Sequence, residues 1–168
     1  MNELKINAEN KKLKGDVAGL LKEMKKLLDS HPLDLQEQID YLADFRLKFY
    51  EKLNQFQHKF LIIRAAEQLK KKHKNICTWK WHPEQTSHPD EPDLQGLDNA
   101  RNIIVSAEIT TSPSPKGVLD SRIRKTLLSL NEKVGVKYYV VKTKEMKDRA
   151  ETKISKFEKK RIKVLLIK

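Results

Sequence analysis

The sequence has little of what marks several common classes of protein. Cys77 is the only cysteine in 168 residues, which rules out a disulfide within the chain and favours a reducing compartment. No run approaches the roughly 20 apolar residues of a membrane span. The first residues contain no apolar signal core. We therefore expect a cytoplasmic protein.

The sequence motifs of common nucleotide and zinc sites are also missing. There is no glycine-rich dinucleotide fingerprint, and the loop at 112–117 lacks the spaced glycines and the Lys-Ser/Thr ending of a P-loop. Four residues of zinc-ligand type have a spacing that fits no closed tetrahedral site. They are His73, Cys77, His82 and His88. Neither a P-loop nucleotidase nor a zinc module is indicated.

Acidic residues are outnumbered by basic ones. The chain has 35 Lys and Arg against 23 Asp and Glu, a net charge of +12, and a pI near 9.7. Such an excess favours polyanionic partners, because each basic contact to a phosphate releases condensed counterions. The net charge alone does not exclude the alternative, a lysine-rich surface that serves only solubility.

The N-terminal part of the sequence has helical periodicity. Apolar residues recur at helical spacing from Lys11 to Asp29, and Ser30–Pro32 breaks that pattern. Asp34 then begins a second helix, with Glu37 three residues later in a capping-box arrangement. We expect the two segments to cover each other's apolar stripes as an antiparallel helical hairpin.

The length of the second helix is left open by the sequence. No glycine or proline occurs between Leu33 and Asn75, which allows one long helix or two helices broken near Asn54–Gln55. We predict two parts of the chain, a helical hairpin over residues 1–54 and an α/β core over residues 55–168. The hairpin is a candidate dimerisation element.

Strand and helix patterns alternate in the core. A helix capped by Asp120 is predicted to place Ile123, Leu127, Leu128 and Leu130 on the core and to end at Gly135. Strands are predicted over 76–82, 93–97, 102–110, 137–143 and 161–167, and a further basic helix over 144–158. Three sequential strands followed by strand–helix–strand crossings predict a mixed α/β sheet.

Two acids stand at informative places in these strands. Asp93 heads the second predicted strand, and Glu108 lies near the end of the third, flanked by the apolar residues Ala107 and Ile109. Because the strands are joined by a tight turn, both carboxylates can reach one end of the hairpin. Paired carboxylates suit Mg²⁺, which takes oxygen ligands and completes its shell with water and phosphate oxygens. Asp90, Glu91 and Asp98 are nearby competitors that we interpret as a solvated acidic loop.

This order of elements, with Pro-Asp heading one strand and an acid ending the next, resembles the PD-(D/E)XK nuclease superfamily, which includes type II restriction endonucleases. The resemblance implies a restriction-endonuclease-like αβββαβ core, with Asp93 and Glu108 as catalytic metal ligands. It also implies a lysine two residues after the glutamate, where this chain has Thr110. Lys125 on the following helix, or less favourably Lys116 in the preceding loop, could supply that charge. Glu67 is a candidate extra metal-site residue.

The expected function is Mg²⁺-dependent cleavage of double-stranded DNA by a homodimer, as in a restriction system. Basic residues after the acids are predicted to contact backbone phosphates. They are Arg122, Arg124, Lys125, Lys142 and Lys144. Two alternatives remain open: a nuclease-like protein that binds nucleic acid without cutting it, which Thr110 motivates, and an interaction protein that works through its helical hairpin.

Overall fold

The computed structural model describes residues 1–29, 34–83, 91–157 and 161–167, the side chains of Leu27 and Leu28 excepted. The predicted helix break at residues 30–32 and the acidic residue at position 90 lie outside the described residues. In chain order the elements are β1 (Asn2–Glu3), α1 (Ile6–Asp29), α2 (Leu35–Lys72), β2 (Thr78–Trp81), β3 (Leu94–Leu97), β4 (Ile103–Ile109), α3 (Val118–Asn131), β5 (Val136–Val141), α4 (Lys144–Ile154) and β6 (Ile162–Leu166).

The six described strands form one mixed sheet in the order β1-β2-β3-β4-β5-β6. Strands β1 to β4 pair antiparallel, and β4, β5 and β6 pair parallel. The mixed α/β class predicted from the sequence is therefore confirmed. Strand β1 was not predicted, because a strand of two residues is too short to show an alternating pattern. Its residues pair with Trp81 and Lys80 of β2.

Helix α2 is one unbroken helix of 38 residues, so no break occurs near Asn54–Gln55. The Asp34 side chain caps it by accepting a hydrogen bond from the Glu37 backbone N–H at 2.9 Å. Helix α1 starts at Ile6, earlier than the predicted Lys11, and packs along α2. The N-terminal region also joins the main core, since Leu4 and Leu13 are buried there. A domain division near residue 54 stays a prediction.

The helices cover the two faces of the sheet and form two cores. On one face, α1 and α2 pack on apolar residues that include Val105, Ala107 and Ile109 of β4. On the other face, α3 and α4 pack on Tyr139, Val141 and Ile162. Trp79 and Trp81 are buried in the first core, in keeping with a packing role. None of the described helices has the length and apolar character needed to span a membrane.

Several predictions about α3 and α4 were wrong in detail. Asp120 is not the cap of α3, because the helix begins at Val118 after Gly117, and the Asp120 carboxylate instead pairs with Arg149 at 2.6 Å and Lys153 at 3.0 Å. Leu128 is 48% exposed rather than in the core. Helix α3 ends at Asn131, before Gly135, and α4 ends at Ile154 instead of 158.

Candidate functional site

The structure brings the carboxyl groups of Asp93 and Glu108 together. Leu94 of β3 pairs with Ala107 of β4, and continuing this register outward places Asp93 opposite Glu108. The two side chains share a hydrogen bond. Asp93 is held in addition by the backbone, since the Ile109 N–H donates to its Oδ2 at 2.7 Å. The acids therefore form a fixed pair at the end of the β3–β4 hairpin.

Two carboxyl groups this close cannot both ionise easily. Burial raises the pKa of Glu108 from 4.5 to about 8, the charge of Asp93 raises it as well, and Lys133 acts in the opposite direction. Glu108 therefore keeps its proton near neutral pH, and a hydrogen bond joins it to Asp93. A divalent cation could take the place of that proton, because it would neutralise both carboxylates at once.

A buried histidine supports Asp93 from the opposite face of the sheet. His58 of α2 is 1% exposed, and its Nε2 lies 3.5 Å from Asp93 Oδ1. Its Nδ1 has no hydrogen-bond partner among the described residues. Asp93 thus contacts His58 of α2 as well as Glu108 of β4.

A small polar cleft opens beside Glu108, between the sheet and α3. Its volume is about 180 Å³, and its lining includes Thr110, Arg122 and Tyr139 together with Glu108. Burial raises the pKa of Tyr139 to about 12, the two acids raise it too, and a hydrogen bond with Thr110 lowers it. Tyr139 therefore keeps its proton at neutral pH and can donate a hydrogen bond inside the cleft.

The donor set fits a hard divalent cation only in part. Two carboxylates are what Mg²⁺ commonly takes from a protein, with water and substrate oxygens completing the shell. In the described parts of the chain, no three His, Cys, Asp or Glu residues are grouped to hold a metal. Asp93 and Glu108 could hold such an ion, and the remaining ligands would have to come from outside the side chains.

The expected lysine does not stand next to the acids. Lys116 is exposed in the loop before α3. Lys125 is also exposed, two residues from the buried Ile123 and Leu127, which places it on the opposite side of that helix. Neither lysine lines the cleft beside Glu108. Lys133, just beyond α3, is the cation whose charge acts on Glu108.

Glu67 has other partners than the acid pair. It accepts hydrogen bonds from Asn10 at 3.1 Å and from Arg64 at 2.8 Å, and so links α2 to α1. The competing acids also have local roles. Asp98 accepts hydrogen bonds from Asn102 in the turn before β4, and Glu91 pairs with His82 and the N-terminus.

The predicted phosphate-binding residues are spread over two helices and a strand end. Arg122 lines the cleft beside Glu108, whereas Arg124 lines a separate basic cavity of about 220 Å³ with Arg149 and Lys153. Lys142 donates a hydrogen bond to Gln57, and Lys144 is exposed at the start of α4. Of this group, Arg122 is the residue that the structure places at the acid pair.

Sequence reasoning missed His58, Tyr139 and Lys133. One signal for His58 was available, because it stands at helical spacing from Ile62, Ala65 and Leu69, all of them core residues. Tyr139 pairs with Glu108 across β4 and β5, and this contact depends on the order of the strands.

In comparisons with known proteins, no family model, no curated protein and no solved structure matched the chain. The likeness to PD-(D/E)XK nucleases therefore stays a prediction from motif and element order.

Proposed function

We propose that this chain is a Mg²⁺-dependent endonuclease that cleaves double-stranded DNA, of the restriction type. The observation that carries the proposal is the hydrogen-bonded pair of Asp93 and Glu108 at the end of the β3–β4 hairpin. Burial and the charge of Asp93 raise the pKa of Glu108, and a carboxyl group perturbed in this way is typical of a functional site. The net charge of +12 supports a polyanionic substrate.

Each residue of the site has a role in this proposal. Asp93 and Glu108 hold the ion, and the hydrogen bond from the Ile109 N–H keeps the Asp93 carboxylate oriented. When bound, Mg²⁺ supplies a more acidic water and offsets negative charge on the phosphate. Arg122 contacts phosphate oxygens in the cleft, and Tyr139 donates a hydrogen bond there. Lys133 offers the positive charge that Thr110 cannot.

Plasmid cleavage tests the proposal. Wild-type protein with Mg²⁺ should convert supercoiled DNA to open-circular and linear forms, and EDTA or Glu108→Ala should stop the conversion. Glu132→Ala removes an exposed acid beyond the end of α3 and should cut at the wild-type rate. Equal cutting by wild type and Glu108→Ala, or no cutting of any DNA by the wild type, would contradict the proposal. Parallel reactions with RNA decide the substrate class.

A second candidate is a protein of the same fold that binds nucleic acid without cutting it. It is favoured by Thr110 and by the absence of Lys116 and Lys125 from the lining of the cleft. This candidate predicts DNA binding that weakens steeply with salt and is unchanged by EDTA. Salt-dependent binding without cleavage would select it over the nuclease.

His58→Leu is expected to weaken metal binding with little change in stability. Leucine preserves most of the buried volume on α2, but it removes the contact of Nε2 with Asp93 Oδ1. Groups that orient metal ligands typically contribute about 10-fold to 100-fold to affinity. Mn²⁺ titration calorimetry measures the loss, and urea unfolding verifies the fold. Unchanged Mn²⁺ affinity in a folded His58→Leu protein would show that His58 only packs.

A further inference from the structure

The first turns of α2 expose apolar side chains. None of the residues 35–48 is buried, and Leu35, Ile39 and Leu42 are 71%, 52% and 62% exposed. A helix of this length is marginal in water unless one of its faces packs against something. Among the described residues, no other part of the chain buries the apolar side chains of this segment.

The apolar stripe continues along the same helix. Leu53 and Phe60 are 42% and 47% exposed, and their spacing from Leu35, Ile39 and Leu42 places all five on one face of α2. Beside the far end of the stripe, α1 and α2 form an open apolar groove of about 440 Å³. The apolar residues of its lining include Leu13, Val17, Leu21, Phe56 and Phe60. An exposed apolar surface of this extent marks an interaction site.

We infer that this stripe binds the same stripe of a second copy of the chain, with the two α2 helices antiparallel. The stripe and the adjacent Phe56 are together self-complementary, because their apolar positions are arranged evenly about a point between residues 47 and 48. An antiparallel pair centred there is two-fold symmetric and closes on itself. The facing residues are Leu35 with Phe60, Ile39 with Phe56, and Leu42 with Leu53.

The apolar side chains at the start of α2 in one copy can insert into the groove of the other copy. Leu35 and Ile39 of one copy meet Phe60 and Phe56 of the other, and those two phenylalanines line the groove between α1 and α2. The symmetric contact is made at the other end of the pair. Each copy therefore contributes a projecting apolar segment and a receiving groove, as a closed dimer requires.

Charge along α2 favours this partner and this direction. Residues 34–45 contain four acidic and no basic residues, whereas residues 46–60 contain four basic residues and one acidic residue. Antiparallel pairing places each acidic segment beside a basic one, and parallel pairing would place the acidic segments together. The acidic segment also disfavours a nucleic acid or an anionic membrane as the occupant.

The oligomeric state of the full chain tests the inference independently of cleavage. Sedimentation equilibrium from about 1 to about 100 µM should show a dimer of twice the 19.7 kDa chain mass. The double variant Ile39→Asp, Leu42→Asp should raise the dissociation constant at least roughly 100-fold. Leu47→Asp is the matched control, since Leu47 is 77% exposed on α2 but lies off the stripe. A monomeric wild type, or equal loss of the dimer with Leu47→Asp, would overturn the inference.

Disulfide trapping tests the direction of the pair. In a Cys77→Ser background, chains with Leu42→Cys are mixed with chains carrying Leu53→Cys and a tag that shifts their mass. Antiparallel pairing should give the mixed cross-link in large excess over either chain linked to itself, because positions 42 and 53 face each other across the axis. Predominant linkage of Leu42→Cys chains to each other would reject the antiparallel arrangement.

Discussion

Replacing Glu108 with glutamine is expected to stabilise the protein above pH 8 while abolishing the proposed cleavage activity. The folded protein keeps the Glu108 proton up to a pKa of about 8, because burial and the charge of Asp93 disfavour the ionised form. The unfolded chain releases the same proton near pH 4.5. Between these two values the folded state binds more protons, so raising the pH lowers the free energy of unfolding.

Glutamine removes that dependence because it never ionises. The expected gain is close to zero at pH 5 and on the order of 3 kcal/mol at pH 9, reduced from the full linkage value by partial exposure of the side chain. Thermal unfolding across this pH range, in EDTA, measures the difference. Glu132→Gln, which changes an exposed acid, serves as the control and should follow the wild-type curve. Parallel curves for wild type and Glu108→Gln would contradict the raised pKa.

The proposed cleavage activity should fall in Glu108→Gln, whereas the stability of this variant should rise. Under the proposed function Glu108→Gln loses a charged metal ligand, and cleavage should fall at least about 1000-fold. Added Mn²⁺ should stabilise the wild type, since a bound cation relieves the repulsion between Asp93 and Glu108, and should leave Glu108→Gln unchanged. A stability gain without any loss of cleavage would separate the acid pair from catalysis.

Gly135→Ala is expected to destabilise the protein by about 2–4 kcal/mol. Gly135 has φ +82° in the turn before β5, a backbone conformation that side chains disfavour. A Cβ there would lie 2.7 Å from the Ile104 carbonyl oxygen of β4, and backbone cannot move aside cheaply. Urea unfolding measures the cost.

Gly19→Ala is the matched control for the glycine test. Gly19 is exposed within α1, and a Cβ there would meet nothing within 4 Å. Alanine at this position should stabilise the protein by about 0.5–1 kcal/mol, because it lowers the backbone entropy of the unfolded chain. A similar loss of stability in both variants would show that the turn before β5 is not the cause.

Strand register was the part of the site that the sequence could predict. The alternation of Val105, Ala107 and Ile109 with Ser106 and Glu108 indicates which side chains share a face, and the short hairpin turn brings Asp93 back alongside. Both inferences depend on neighbours along the chain. The same local signals predicted the mixed sheet and the Asp34 cap.

The features that the sequence did not predict depend on contacts between distant parts of the chain. His58 reaches Asp93 from a helix 35 residues earlier, through packing that no local pattern specifies. Asp120 has the residue type of a helix cap, but Arg149 and Lys153 on α4 bind it within the first turn of α3. Strand β1 has two residues and takes its place in the sheet entirely from β2.

The unbroken length of α2 has a consequence for how the acid pairs of two paired copies would be spaced. One rigid rod carries both the self-pairing stripe and, on another side of the helix within the same span, His58 beside Asp93. In the antiparallel pair, position 58 of one copy faces position 37 of the other, so the two His58 residues lie roughly 31 Å apart along the rods. A single helix would thus fix how far apart the two acid pairs lie along the rods.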